Sequence, residues 1–375
     1  MNLLCLDVET STFNKGNCYD NRNELVCIAA MSNSTNGGRC LPASAAGQLL
    51  EDIRRASLIV GFNFKFDLAW LKKAGLQFTG KQIWDVQIAE FILSSQTNSY
   101  PSLNDTCLKY GLEVKLDVVK TEYWDKGVDT KDIPWNVLSE YAIKDVELTL
   151  ACYHKQVALM SPEQKKLCYL MCQDLVVLQE MEENGIAFDE ELCKERSVEV
   201  ATRAGELQEQ LASTYPSVPI NFGSNDHLSA FLYGGIVKEE GKEHIGFFKS
   251  GIKAGQPKYK NIVIEHTLPR IYQPLKGSEM AKQGNYAVNE DTLRKLKGKS
   301  GVITNLLELS KLEKLNGTYY KGLVQLRETM YWEPGTLHGN FNQTRAQTGR
   351  LSSSKPNLQN FASDLQDIFV SRYND

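Results

Sequence analysis

Asp7 and Glu9 fall two residues apart in LLCLDVETS, close to the start of the sequence. Side chains alternate along a strand, so these two carboxylates share one face of a short apolar run. Asn63 and Asp67 follow in VGFNFKFDLAWL, at the junction of an apolar strand and a helix. Tyr141 and Asp145 stand at i and i+4 in YAIKDVELT, one turn apart on one helical face. Each pair alone has an ordinary reading: solvated acids at a strand end, a first-turn acid favoured by the helix dipole, a core aromatic. Together they offer four carboxylates and a phenol to one site. Clustered acids repel and raise one another's pKa. Divalent cations lodged between them remove that penalty, and hard oxygen donors suit Mg2+ or Mn2+. Two such ions about 4 Å apart serve phosphodiester chemistry. A phenol with a pKa of about 10 acts there as a hydrogen-bonding group rather than a base.

The elements that must carry these residues alternate between strand and helix. LLCLDVE, ELVCIAAM and ASLIVGFN read as strands. FDLAWLKKAGL reads as a helix stopped by Gly75, and WDVQIAEFILSS and SLNDTCLKYGL as two more, with Ser102 as an N-cap. PWNVLSEYAIKDVELTLACYHKQVAL is a long amphipathic helix entered through Pro134. The pattern changes near Ser161-Pro162, where helices begin to dominate, and places a domain boundary near residue 158. The stretch from about 234 to 286 is rich in Gly and Lys, with strand-like runs such as KNIVIEHTL, and reads as an insertion. NEDTLRKL and NLLELSKLEKLNGTYYKGLVQLRETM return to helix, the latter as an antiparallel helical arm.

Composition sets bounds on class. The 375 residues suffice for two domains with real cores, and 42% hydrophobic and 23% charged residues are ordinary for a globular protein. The net charge of -4 does not by itself indicate a polyanionic partner. Residues 241–300, however, hold 12 Lys/Arg against 5 Asp/Glu, a segment suited to lie near phosphate or to remain a solvated loop. Nine Cys without a CxxC pair read as reduced thiols of a cytoplasmic protein. No apolar run approaches the ~20 residues of a membrane span, and no signal peptide is expected.

The order D-x-E, N-x3-D, Y-x3-D resembles the Tyr subclass of the DEDD 3'–5' exonucleases. That resemblance implies an RNase H-like fold with Asp7, Glu9, Asp67, Tyr141 and Asp145 as catalytic residues. It implies that Asp7 bridges two metals, Glu9 and Asp145 complete one site, Asp67 holds the other through water, and Tyr141 orients the attacking water with Glu9. Mg2+ is the expected ion, two per site, with Mn2+ as substitute.

The second half resembles family A DNA polymerases of the bacteriophage type. TRAQTGRLSSSKPNLQN is similar to that family's primer–template stretch, LSKLEKLNGTYYKGL to its thumb helix, and MEENGIAFD to the entry of its polymerase domain. The resemblance implies that Asn63, Lys314, Tyr319, Thr348, Arg350, Asn357, Gln359 and Asn360 contact DNA, either a single-stranded 3' end or a primer–template duplex. Such minor-groove and backbone contacts read duplex shape more than sequence. The expected class is α/β: an RNase H-like exonuclease domain over 1–158, then a mainly helical partial polymerase domain, thumb and palm entry, over 159–375. The family's catalytic palm and fingers motifs are not found before Asp375, which is given no metal role. Two readings follow: a second polypeptide carrying palm and fingers is the expected partner, or the chain is a truncated product that works as a stand-alone exonuclease. Exposed Ile368, Phe369 and Val370, read as an open edge, favour the partner. The expected function is proofreading exonuclease action in DNA replication, in the cytoplasm, or the host cytoplasm if the protein is viral. The alternatives are a non-catalytic DNA-binding subunit of a split polymerase and an RNA-trimming exonuclease.

Overall fold

The computed structural model describes residues 2–34, 37–114, 118–251, 253, 255–296, 301–361 and 363–372. Asp375 and residues 297–300 of the basic stretch lie outside them. The chain forms two compact units, one of Met1–Glu190 with Leu323–Asp375, the other of Glu191–Gly322.

The first unit is built on a five-stranded mixed sheet of order β3-β2-β1-β4-β5. Its strands are β1 (Leu3–Thr10), β2 (Leu25–Ser32), β3 (Arg39–Pro42), β4 (Leu58–Gly61) and β5 (Gln82–Asp85). β1 pairs antiparallel with β2 and parallel with β4. As the central strand it is covered on both faces, and Leu3, Leu4, Cys5, Leu6 and Val8 are all buried. The helices are α1 (Leu50–Arg55), α2 (Phe64–Lys73), α3 (Val86–Leu93), α4 (Leu103–Lys109), α5 (Val118–Glu122), α6 (Trp135–Leu159) and α7 (Pro162–Asn184). On α6, Leu138, Ala142, Val146, Thr149 and Cys152 form a stripe at helical spacing, which packs on β1 and β2. Asp145 and Gln156 lie in that same buried stripe. Gln156 is satisfied, donating to the Val86 carbonyl at 2.9 Å and accepting from Trp84 Nε1 at 3.3 Å.

α7 opens with a capping box between Ser161 and Gln164 and packs on β5, α2 and α3. After it come the two-residue strand β6 (Ile186–Ala187) and, in the second unit, α8 (Glu190–Ala212), α9 (Asn225–Tyr233), β7 (Gly235–Phe247), β8 (Pro257–Leu268), α10 (Glu290–Leu296) and α11 (Gly301–Lys314). Leu207, Leu211, Phe231, Ile303, Leu306 and Leu309 make that unit's core. α8 and α11 run antiparallel, with Ser197 bonded to Asn316 at 2.7 Å and Gln210 to Asn305 at 3.3 Å. The expected continuous arm is interrupted by a π-helical segment, Leu315–Tyr320, before α12 (Lys321–Met330).

The chain then returns to the first unit with β9 (Thr336–Leu337), paired with β6, and the hairpin β10 (Asn340–Asn342) with β11 (Ser352–Ser354). The last described segment corrects the reading of an open edge. Ile368 is fully buried, Phe369 bridges Phe188 and packs on Phe361 at 4.8 Å, and the Val370 amide donates to the Ala187 carbonyl at 3.2 Å. These residues are paired within their own unit, and only Val370 remains exposed.

β3 and β5 are strands that their short runs did not announce. In WDVQIAEF the helix starts only after Asp85, which ends β5 and caps α3 by accepting from the Gln87 and Ile88 amides. The same carboxylate accepts from the amides of Asn63 at 3.2 Å and Phe64 at 2.8 Å. It thereby ties the start of α2 to the sheet and stabilises Asn63 at a left-handed φ of 52°. We predict that Asp85→Ala, which orphans these amides, lowers unfolding stability by about 2–4 kcal/mol. A reduced urea midpoint at unchanged m-value checks this, and an unchanged midpoint contradicts it.

Candidate active site

Asp7 and Glu9 both leave β1 on the face covered by α6, opposite the small residues Ala29 and Cys27 of β2. The register shifts between Glu9 and Thr10, a bulge that ends regular pairing next to the second carboxylate. Asp145 comes down from α6 onto the same face. One carboxylate oxygen from each of Asp7, Glu9 and Asp145 lies within 4.8 Å of the others. Glu9 and Asp145 are buried at 8% and 7% exposure, and Asp7 is partly open. The three acids thus meet beneath the end of a strand.

Asp67 stands outside that trio but is held against it. Its Oδ1 accepts the Val8 amide at 2.9 Å, between Asp7 and Glu9 on the backbone of β1. It is almost fully buried, and burial, then the negative charge of Asp7, push its carboxyl well above the usual range. Cys5, two residues before Asp7 on the same strand face, is raised by the same causes. Both shifts mark a local excess of negative charge in low dielectric, the condition that a bound cation relieves. Three hard carboxylate donors at this spacing fit a divalent metal of the Mg2+ or Mn2+ kind.

Tyr141 sits one turn before Asp145 on α6. Its ring meets Trp124 edge to face at 5.7 Å, and Trp124 Nε1 donates to Thr130 Oγ1 at 3.1 Å. The phenol is thus positioned by packing rather than free to rotate. Asn63 heads α2 and lines a cleft of about 460 Å³ together with Lys15, Tyr19, Gln87, Tyr100 and Lys355. Lys65, two residues on, reaches Glu182 of α7 at 2.5 Å, and Glu182 also accepts from the Phe341 amide at 2.6 Å. Burial raises the Glu182 carboxyl, with Lys65 opposing. α2 is therefore pinned at its N-terminus by Asp85 and along its side by Glu182. Asp85, Trp124 and the Lys65–Glu182 pair escaped sequence reasoning. Only Asp85 had a local signal, an acid just before an apolar helical run.

Of the residues expected to meet DNA, Thr348 and Arg350 are exposed in the turn between β10 and β11. Asn357, Gln359 and Asn360 follow β11 and are all exposed. Lys314 is exposed at the end of α11, whereas Tyr319 is buried at 7% exposure in the π-helical segment.

Comparison with known proteins accounts for both halves. Residues 4–159 match the 3'-5' exonuclease family, and residues 258–372 match DNA polymerase family A. The chain thus joins a segment of the 3'-5' exonuclease family to a segment of DNA polymerase family A. It is 27% identical over 307 residues to DNA polymerase I of Chloroflexus aurantiacus, covering 80% of this chain and 28% of that protein. It is 25% identical over 308 residues to DNA polymerase I of Bacillus subtilis, covering 82% and 30%. It is 23% identical over 329 residues to the DNA polymerase of Bacillus phage SP01, covering 84% and 35%. The chain thus spans about a third or less of these relatives' length. The solved POL domain of Pol1 from M. smegmatis, in complex with DNA primer-template and dNTP, shares the fold. It has a TM-score of 0.63 at 21% identity, covering 96% of this chain and 52% of that one. Family exonucleases of this kind use divalent metal ions, which agrees with the acidic trio. No described helix is long and apolar enough to cross a membrane.

Asp67 separates charge from hydrogen bonding in a testable way. In chelator, Asp67→Asn keeps an acceptor for the Val8 amide and removes a buried charge, so its melting temperature should match or exceed wild type. Asp67→Ala leaves that amide unpartnered and should cost about 1–3 kcal/mol. Equal destabilisation by both substitutions contradicts this account of the site.

Proposed function

We propose that this chain removes nucleotides from the 3' end of DNA, the proofreading step of DNA replication, by metal-assisted phosphodiester hydrolysis. The meeting of Asp7, Glu9 and Asp145 within 4.8 Å carries the proposal. Asp7, Glu9, Asp67 and Asp145 would hold two Mg2+ ions, with Mn2+ able to replace them. When bound, the ions supply Lewis acidity toward the phosphodiester. The chain's own residues do the rest. Glu9 and the Tyr141 hydroxyl orient the attacking water through hydrogen bonds, and the packed ring of Tyr141 narrows the directions that water can take. Asp67 reinforces the strand between the two ligands. Burial of Glu9 and Asp145 lowers the dielectric around them, which strengthens their attraction for a cation.

In this reading residues 1–158 are the exonuclease domain and 159–375 the polymerase portion. Asn63 together with Thr348, Arg350, Asn357, Gln359 and Asn360 binds a single-stranded 3' end or the primer–template duplex, with Lys314 on the backbone. Tyr319 has a weaker case, because its ring is buried. For primer extension the reading adds a second polypeptide supplying palm and fingers, tested by mixing the two chains on a primed template. The protein works in the cytoplasm, that of the host if it is viral.

Asp7→Ala should lower degradation of 5'-labelled single-stranded DNA by at least about a thousandfold, the equivalent of several kcal/mol of transition-state stabilisation. Its circular dichroism should be unchanged. Tyr141→Phe should lower the rate by about 10- to 100-fold with little change in KM. Undiminished degradation by purified Asp7→Ala protein overturns the assignment.

A further inference from the structure

The second unit carries a feature that the exonuclease reading does not use. β7 and β8 form an isolated two-stranded ribbon, paired from Gly235↔Leu268 out to Phe247↔Pro257. At about 3.3 Å per residue it is about 40 Å long. Among the described residues, its base is anchored through Val237 and Leu268 against Ala230. A bare ribbon of this length is marginal in water and gains from a surface to lie against.

Charge is segregated along it. The outer part, residues 242–260, holds five lysines and one acid, Glu243. The base holds Glu239, Glu240 and Glu265, and two of these engage side chains of the base itself: Lys238 meets Glu265 at 3.0 Å and His266 meets Glu239 at 2.9 Å. The outer lysines are exposed. The register puts Lys258 and Lys260 on one face and Lys242, opposite Asn261, on the other. The outer part also carries an aromatic group. His244 packs with Phe247 at 5.1 Å and with Tyr259 at 5.5 Å, while Phe247 and Tyr259 stay 60% and 53% exposed.

We propose that the outer half of this ribbon binds double-stranded DNA. A two-stranded ribbon matches the width of the major groove, and cations on both of its faces can reach the phosphates of both groove walls. The aromatic group supplies a stiff apolar end to rest against sugars and exposed base steps. A protein-binding ribbon would instead present one continuous apolar face. Here the exposed Ile236, Val263 and Ile264 lie toward the base, while in the outer half Ile245, Phe247 and Tyr259 are interspersed among exposed lysines rather than joined into one apolar face. Binding by the ribbon is sequence-independent and adds duplex affinity.

The test uses the full chain in chelator, a fluorescent 20-base-pair duplex and anisotropy across a KCl series. Lys242→Gln/Lys249→Gln/Lys258→Gln/Lys260→Gln should bind the duplex at least tenfold more weakly. The slope of log affinity against log salt should fall by about 0.9 for each phosphate no longer neutralised by a lysine, so by about 2–4 in all. If the quadruple variant misfolds, Lys258→Gln/Lys260→Gln should show about half the slope change. The rate of degrading a short single strand in Mg2+ should stay within about twofold of wild type, which separates ribbon binding from the exonuclease assignment. An unchanged duplex affinity and slope overturns the proposal. So does a weakening confined to single-stranded DNA.

Discussion

The structure is organised around placing like charges where they do not want to be. Two carboxylates leave the central strand of a buried sheet on the same face, and a third descends on them from α6. In a medium of low dielectric this costs folding free energy, and the raised Asp67 and Cys5 groups record it. Such an arrangement persists only because the elements around it are over-determined. β1 is paired on both sides, α6 is 25 residues long with a continuous buried stripe, and the Asp67–Val8 bond locks α2 to the strand. Acids gathered at that cost are acids held ready for a cation.

The scaffold reaches further than the sheet. α2 bears Asp67, so its position decides whether the fourth acid faces β1. Asp85 anchors the first turn of α2 from β5, and Glu182 of α7 takes Lys65 from its side. Glu182 also receives the Phe341 amide, so β10, within the polymerase match, is bonded to the same carboxylate that steadies the exonuclease helix. Arg327 reinforces this return of the chain with a two-pronged bond to Glu190 at 2.8 and 2.9 Å. Within the first unit, the exonuclease segment and the end of the polymerase segment are therefore one packed body rather than two beads on a linker.

Much of the site was legible in sequence because its residues obey simple periods. Asp7 and Glu9 follow the strand repeat of two, and Tyr141 and Asp145 the helical repeat of four. Their faces could be assigned without coordinates. Asn63 and Asp67 were legible from the strand–helix junction. What stayed hidden depends on long-range pairing. β3 and β5 are four residues each, too short for a periodic pattern, and exist through their partners. Trp124 meets Tyr141 across a turn that no local rule places. Glu182 sits in a helix of many acids, and nothing in its neighbours marks it as the one that binds Lys65. At the far end, Ile368 and Phe369 looked like an unpaired strand because the partners of this segment, Phe188 and Ala187, lie some 180 residues earlier.

The central claim is that Asp7, Glu9 and Asp145 are one divalent-cation site. Anomalous diffraction from crystals equilibrated with MnCl2 tests it most directly. The account predicts a strong manganese peak coordinated by all three carboxylates and no such peak in Asp7→Ala crystals. Crystals that give no peak there, from protein that still degrades single-stranded DNA in the presence of EDTA, would contradict it.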